Sequence, residues 1–230
     1  NDFTHGLREL IKPQGVITLE FPHLMRLVEF RQFDTVYHEH FSYLSLQTVL
    51  NIFEKAGLRI FDVEELPTHG GSLRLYGCRK EAEHPTTPTV TATLAEETHR
   101  GMNTLNYYTA FQSEANAVKD DLLAFLLEQK RLGKTVAGYG AAAKGNTLLN
   151  YVGVKPELLP FVSDAAPSKQ DRFLPGNHIP ILPPDAIEEN HPEYVLILPW
   201  NLAEEIEAQL AFIREWGGKF VTAIPSLELK

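Results

Sequence analysis

Thr135-Val-Ala-Gly-Tyr-Gly140-Ala-Ala-Ala-Lys144-Gly145-Asn146 is the stretch from which the fold is read. A short apolar run with a β-branched start passes through Gly138-Tyr-Gly140 into an alanine-rich segment, so a strand turns into a helix over 141–151. Downstream the same alternation repeats. Strands are predicted at 158–164, 179–182, 194–198 and 219–224, with helices at 185–189 and 203–216. Strands alternating with helices imply a mostly parallel sheet covered on both faces, a Rossmann-like domain over 134–230.

Upstream, Phe111, Ala115, Val118, Leu122, Phe125, Leu126 and Gln129 recur at three-four spacing, and the helical pattern runs over 94–132 until Gly133 stops it. Residues 80–93 show no periodicity and carry Pro85 and Pro88, so 80–133 reads as a linker and a long helix. Residues 1–79 give a helix at 2–11, a buried strand at 15–21, a partly irregular stretch at 23–36 and a helix at 46–56 with Ser45 as N-cap. Strands at 58–63 and 72–78, joined by Pro67–Gly71, make an antiparallel hairpin. Three strands are a thin sheet, so 1–79 is expected to be the later half of an α/β domain. The chain opens Asn1-Asp2-Phe3 without Met, and a fragment or a processed form is expected.

A net charge of −9 argues against general nucleic-acid binding, which needs a basic stripe. No apolar run approaches the roughly 20 residues of a membrane helix. The single cysteine, Cys78, forbids an intrachain disulfide and suggests a reducing, cytoplasmic setting.

Chemistry concentrates in Tyr37-His-Glu-His40-Phe-Ser-Tyr-Leu-Ser45. Two imidazoles, a carboxylate and two phenols within seven residues suit proton transfer near neutrality. The same residue types admit a metal site or a solvated strand edge, but zinc would need a third protein ligand. An extended segment would put Tyr37 and Glu39 on one face and His38 and His40 on the other. A turn after Tyr37 would bring Glu39 and His40 to one cavity.

Two further loops are polar. The Gly138–Gly145 turn opens a helix, where backbone N–H groups and Lys144 would suit a phosphate, and Asp164 ends the next strand where a ribose-binding acid would sit. The alternative is a tight turn that needs glycine for its geometry, with a solvated lysine. Pro167-Ser-Lys169-Gln-Asp-Arg172-Phe-Leu-Pro-Gly-Asn-His178 is a cationic loop expected to share that crevice. In the hairpin, Thr68-His69-Gly-Gly-Ser-Leu-Arg74 sets a histidine and an arginine beside a glycine pair.

Taken in order, the Tyr37–Ser45 cluster, His69-Gly-Gly-Ser-Leu-Arg74, Gly138-Tyr-Gly-Ala-Ala-Ala-Lys-Gly-Asn146, Pro167-Ser-Lys-Gln170 and Pro175-Gly-Asn-His-Ile-Pro-Ile181 resemble the nucleotide-sugar C-methyltransferases over essentially the whole chain. The resemblance implies an S-adenosylmethionine-dependent enzyme of deoxysugar pathways, built from a cysteine-rich zinc module, a class I methyltransferase-like sheet and a Rossmann-like C-terminal domain. The zinc cysteines and the glycine turn that holds S-adenosylmethionine are missing from this sequence, so 1–79 would be only the late strands of the methyltransferase sheet. The missing N-terminal part would be the chain's natural partner. Asp171 stands where the family's Ser-Lys-Gln-Gly-Arg loop has glycine.

By resemblance His40 is the base that removes a sugar C3 proton made acidic by a 4-keto group, with Tyr37 and Glu39 orienting it or the sugar. His69, Arg74, Gly138, Gly140, Lys144, Asn146, Lys169 and Arg172 are expected to bind the nucleotide-sugar, and no residue is expected to hold a metal. Two other readings compete: an NAD-dependent oxidoreductase built on the Gly138 turn, and a nucleotide-sugar-binding module without catalysis of its own.

Overall fold

The computed structural model describes residues 2–230. By contact the chain divides into two compact units, one of Asn1–Glu29 with Phe41–Phe111 and the other of Phe30–His40 with Gln112–Lys230.

In the first unit, α1 (Asp2–Leu10) precedes β1 (Ile17–Pro22), α2 (Leu24–Glu29), α3 (Leu46–Lys55), β2 (Leu58–Leu66) and β3 (Ser72–Arg79). The strand order is β1-β3-β2, with β3 antiparallel to both neighbours, so β1 and β2 run the same way. Alternation decides what each face of β3 does. Leu73 and Leu75 point into the core with Leu46, Val49 and Phe53 of α3, while Arg74 and Tyr76 face out. Ser45 caps α3 as its sequence predicts, its side chain accepting the Thr48 N–H.

The helix expected over 94–132 is broken. Pro88 begins α4 (Pro88–His99) from the first helical position, where a missing N–H costs nothing, so part of the expected linker is helical. Gly101, at φ 80°, ends that run; a short α5 (Asn106–Thr109) follows, and then the long α6 (Phe111–Arg131).

The second unit holds β4 (Val136–Tyr139), α7 (Ala143–Val152), β5 (Val162–Ser163), β6 (Arg172–Phe173), β7 (Pro180–Leu182), α8 (Asp185–Asn190), β8 (Tyr194–Ile197), α9 (Ala203–Gln209), β9 (Lys219–Thr222) and β10 (Glu228–Leu229). Seven strands form one sheet in the order β10-β9-β8-β4-β5-β7-β6. The five inner strands are parallel and the two edge strands are antiparallel. This is the α/β fold that the strand–helix alternation predicts. Val195, Ile197, Ala137 and Phe220 are buried against Ile206, Leu210 and Ile213. The two edge strands were not predicted, because two residues carry no period. The chain leaves β4 toward β5 on one side and later returns to β8 on the other. This reversal opens a crevice at the carboxyl end of β4.

The observed units part from the 1–79, 80–133 and 134–230 divisions expected from sequence at residues 30–40, and again between Phe111 and Gln112, inside the expected linker and long helix. Arg31, at φ 54°, turns the chain and donates to the Pro225 carbonyl at 3.3 Å. Phe33 is buried with its ring 5.1 Å from that of Tyr151 on α7. The segment therefore belongs to the second unit by burial, although the sequence on either side of it belongs to the first.

Candidate active site

The cluster folds as a turn. The His40 N–H donates to the Tyr37 carbonyl at 3.0 Å, placing His38 and Glu39 at the corners. A turn after Tyr37 was one of the two geometries the sequence allowed, but its consequence differs from the one expected. Glu39 is exposed, and it is Tyr37 and His38 that line a cavity. The His40 ring lies against Tyr37, tilted by 34°, with centroids 4.3 Å apart. His40 Nδ1 lies 2.8 Å from the Thr35 carbonyl oxygen. A carbonyl only accepts, so Nδ1 carries the proton and the neutral ring's lone pair sits on Nε2. That is the tautomer a general base at Nε2 requires.

The cavity has a volume of about 390 Å³ and is lined from the second unit. Tyr37 and His38 face Ala141–Ala143 at the start of α7, Asn146, and the Ser168, Lys169 and Arg172 side chains of the loop after β5. Ala142 is an N-cap with no side chain to offer, so α7 presents its first N–H groups without a capping oxygen. Lys169 is partly committed: its Nζ lies 3.0 Å from Asp164 Oδ2. Arg172 is exposed and has no carboxylate within ion-pairing distance among the described residues. A cation and an uncapped helix start on one cavity favour an anion.

The backbone of Asp171 lies at φ 60°, in the left-handed region that favours glycine, and its N–H donates to the Ile181 carbonyl at 2.9 Å. The glycine missing from this sequence therefore answers to backbone geometry, and the loop keeps its shape with aspartate.

The Gly138–Gly145 turn is not built as the sequence suggested. The Gly140 N–H goes to the Ser163 carbonyl at 2.7 Å, the Ala141 N–H to Asp164 Oδ2 at 2.6 Å and the Ala142 N–H to the Gly140 carbonyl at 2.8 Å. Asp164 also takes the Ala166 N–H on Oδ1 at 2.8 Å. Its carboxylate is thus held by the backbone N–H groups of the turn and of its own loop. The glycines answer to packing. Gly140 has φ 87° and a Cβ there would meet Pro199 Cδ at 2.5 Å, while a Cβ on Gly145 would meet Leu198 Cβ at 2.6 Å. Gly138 and Gly140 shape the crevice and do not line the cavity.

Lys144 also departs from expectation. Its Nζ donates to Asn201 Oδ1 at 2.6 Å and lies 4.6 Å from the centroid of the Trp200 ring, away from the cavity lining. Burial lowers its pKa, and the nearby Asp34 carboxylate opposes that. Asp34 went unnoticed in the sequence. It is fully buried in the 3₁₀ turn Phe33–Thr35, and its Oδ2 accepts the Trp200 Nε1–H at 2.8 Å. Its Oδ1 has no hydrogen-bond partner of good geometry. Burial pushes its pKa up to about 6, against the pull of the Trp200 indole, the Lys144 charge and the neighbouring backbone N–H groups.

A family model described as the C-methyltransferase C-terminal domain matches residues 67–225. The chain belongs to this family. It is also 37% identical over 225 residues to the C-methyltransferase NovU of Streptomyces niveus, a match covering 98% of this chain and 54% of that protein. The chain thus spans about half the length of that curated relative.

His69 and Arg74 lie in the first unit. Arg74 bridges its two cross-strand neighbours, Glu20 at 2.9 Å and Glu64 at 3.3 Å, which explains an arginine there without a ligand. His69 is exposed at φ 56° in the turn Thr68–Gly70. Also in the first unit, Glu97 of α4 is buried and accepts the Leu46 N–H at 2.6 Å, the Gln47 N–H at 3.1 Å and His23 Nε2 at 2.7 Å. Burial pushes the Glu97 carboxyl up, but His23 and the two N–H donors outweigh it, so it titrates below the usual range. Glu97 ties the start of α3 to α4, and nothing in its spacing distinguishes it from surface charge.

In the first unit β1 runs into α2 through Pro22 and His23, and β2 and β3 form a hairpin. Among the described residues no group of three or more His, Cys, Asp or Glu could hold a metal ion. No helix among them is long and apolar enough to cross a membrane.

Proposed function

We propose that this chain is the sugar-handling part of an S-adenosylmethionine-dependent C-methyltransferase acting on a nucleotide-linked keto-deoxysugar in a reducing, cytoplasmic compartment. The observation that carries the reading is the His40 ring, oriented by Thr35 and Tyr37 with its basic lone pair at Nε2, in the turn that also lends Tyr37 and His38 to an anion-favouring cavity. Methylating a sugar carbon requires a carbanion, and a ketone beside that carbon acidifies its C–H bond. His40 Nε2 takes the proton, and the imidazolium that forms keeps its Nδ1–H on the Thr35 carbonyl. Arg172, the α7 N–H groups and Lys169 hold the diphosphate of the nucleotide. Exposed Glu39 and the first-unit residues His69 and Arg74 would act only in the assembled full-length enzyme. The methyl group would come from S-adenosylmethionine on a segment outside these residues, and the zinc module expected from the family would lie there too.

The test is solvent deuterium exchange at the carbon beside the ketone, run in the full-length enzyme without methyl donor. His40→Asn should lower exchange about 10²–10⁴-fold, the contribution of a positioned general base. Exchange at the wild-type rate in His40→Asn, with loss in His38→Asn, would reassign the base.

A further inference from the structure

Gln32-Phe33-Asp34-Thr35 precedes the histidine turn, and nothing in its pattern asks for a buried acid. The structure nevertheless gives Asp34 no exposed surface. A carboxylate in such a place is costly unless something specific holds it. What holds it is the Trp200 indole N–H, at 2.8 Å. Trp200 is itself fixed: it follows Pro199, which packs on Gly140, and the Lys144 ammonium lies over its ring. Asp34 therefore ties a short 3₁₀ turn to a rigid point at the end of β8.

The next residue is Thr35. Its carbonyl oxygen accepts from the Tyr37 N–H at 3.1 Å and from His40 Nδ1 at 2.8 Å. Its own N–H and hydroxyl return to the Gln32 carbonyl at 3.1 and 2.8 Å, so the peptide cannot rotate alone. That carbonyl bears on both where the imidazole points and which nitrogen is protonated. We propose that Asp34 is a positioning residue for His40: through Trp200 it fixes the 3₁₀ turn whose Thr35 carbonyl sets the ring's orientation and its tautomer. The catalytic meaning rests on the reading of His40 as the base; the coupling of Asp34 to the ring does not.

The experiment labels the histidines of the 230-residue chain with ¹⁵N and records two-bond ¹H–¹⁵N correlations at alkaline pH, where the neutral ring reports its tautomer. Loss of one set of signals in His40→Gln assigns the ring. The wild type should show His40 in the Nδ1–H form. Asp34→Ala should convert it to a mixture of tautomers. Asp34→Asn, whose amide oxygen still accepts the Trp200 N–H, should restore the Nδ1–H form, which a generally loosened structure would not do. Trp200→Phe provides a second route to the same loss should Asp34→Ala fold poorly. An unchanged tautomer in Asp34→Ala and Trp200→Phe, or equal loss in Asp34→Ala and Asp34→Asn, overturns the proposal. In the full-length enzyme Asp34→Ala should also slow deuterium exchange by about tenfold or more, the effect of a misplaced base. A shifted tautomer with unchanged exchange would leave Asp34 positioning the ring and remove His40 from the chemistry.

Discussion

Replacing Asp34 with Asn should change the pH dependence of folding in a calculable way. The native carboxyl titrates at about 6 because burial disfavours its ionised form, whereas an unfolded aspartate titrates near its ordinary 3.8. That gap is worth about 3 kcal/mol. The sign follows from which state binds the proton more tightly. Between the two values the folded chain keeps a proton that the unfolded chain has lost, so this contribution is complete below the unfolded value. It disappears as pH rises through the folded one. Above it the wild type holds an ionised, buried carboxylate. Asn keeps the Trp200 hydrogen bond and cannot ionise, so the variant should gain on the wild type by about 2 kcal/mol between about pH 4.5 and pH 8. Urea unfolding followed by tryptophan fluorescence is suited to this, since both tryptophans, Trp200 and Trp216, lie in the second unit. A stability difference that stays constant across that range would show that the carboxylate is not held as described.

Four other substitutions probe the site. Asp171→Gly should stabilise the second unit by about 0.5–1 kcal/mol in the same unfolding assay, because glycine adopts φ 60° without strain. Arg172→Ala should weaken binding of a nucleoside diphosphate, read by calorimetry, by roughly 10–100-fold, the worth of a charge-assisted bond. Lys169→Ala should cost less, since Asp164 already shares that charge. Gly145→Ala should destabilise the second unit by about 1–3 kcal/mol, as its Cβ would stand 2.6 Å from Leu198 Cβ, and a nucleotide added at saturation should not restore the loss.

The sequence by itself determined the α/β architecture of 134–230, because a buried parallel strand and an amphipathic helix each write a local period into the chain. It likewise determined the hairpin, the Ser45 cap and the grouping of Tyr37 to His40 as one chemical cluster. Its reading of the glycine turn was right about strand, turn and helix. Of the purposes it left open, packing accounts for Gly140 and Gly145, whose partners Pro199 and Leu198 follow a different strand. The αL backbone at Asp171 is a conformation that glycine adopts without strain, and nothing local in the sequence marks it. Only the tertiary structure decided that Phe30–His40 packs with the C-terminal unit, that Glu39 is exposed while His38 lines the cavity, and that Asp34 is buried. A single aspartate in an irregular stretch has no period to betray it. Its partner Trp200 lies 166 residues away, and burial and pairing at that separation exist only once the sheet has assembled.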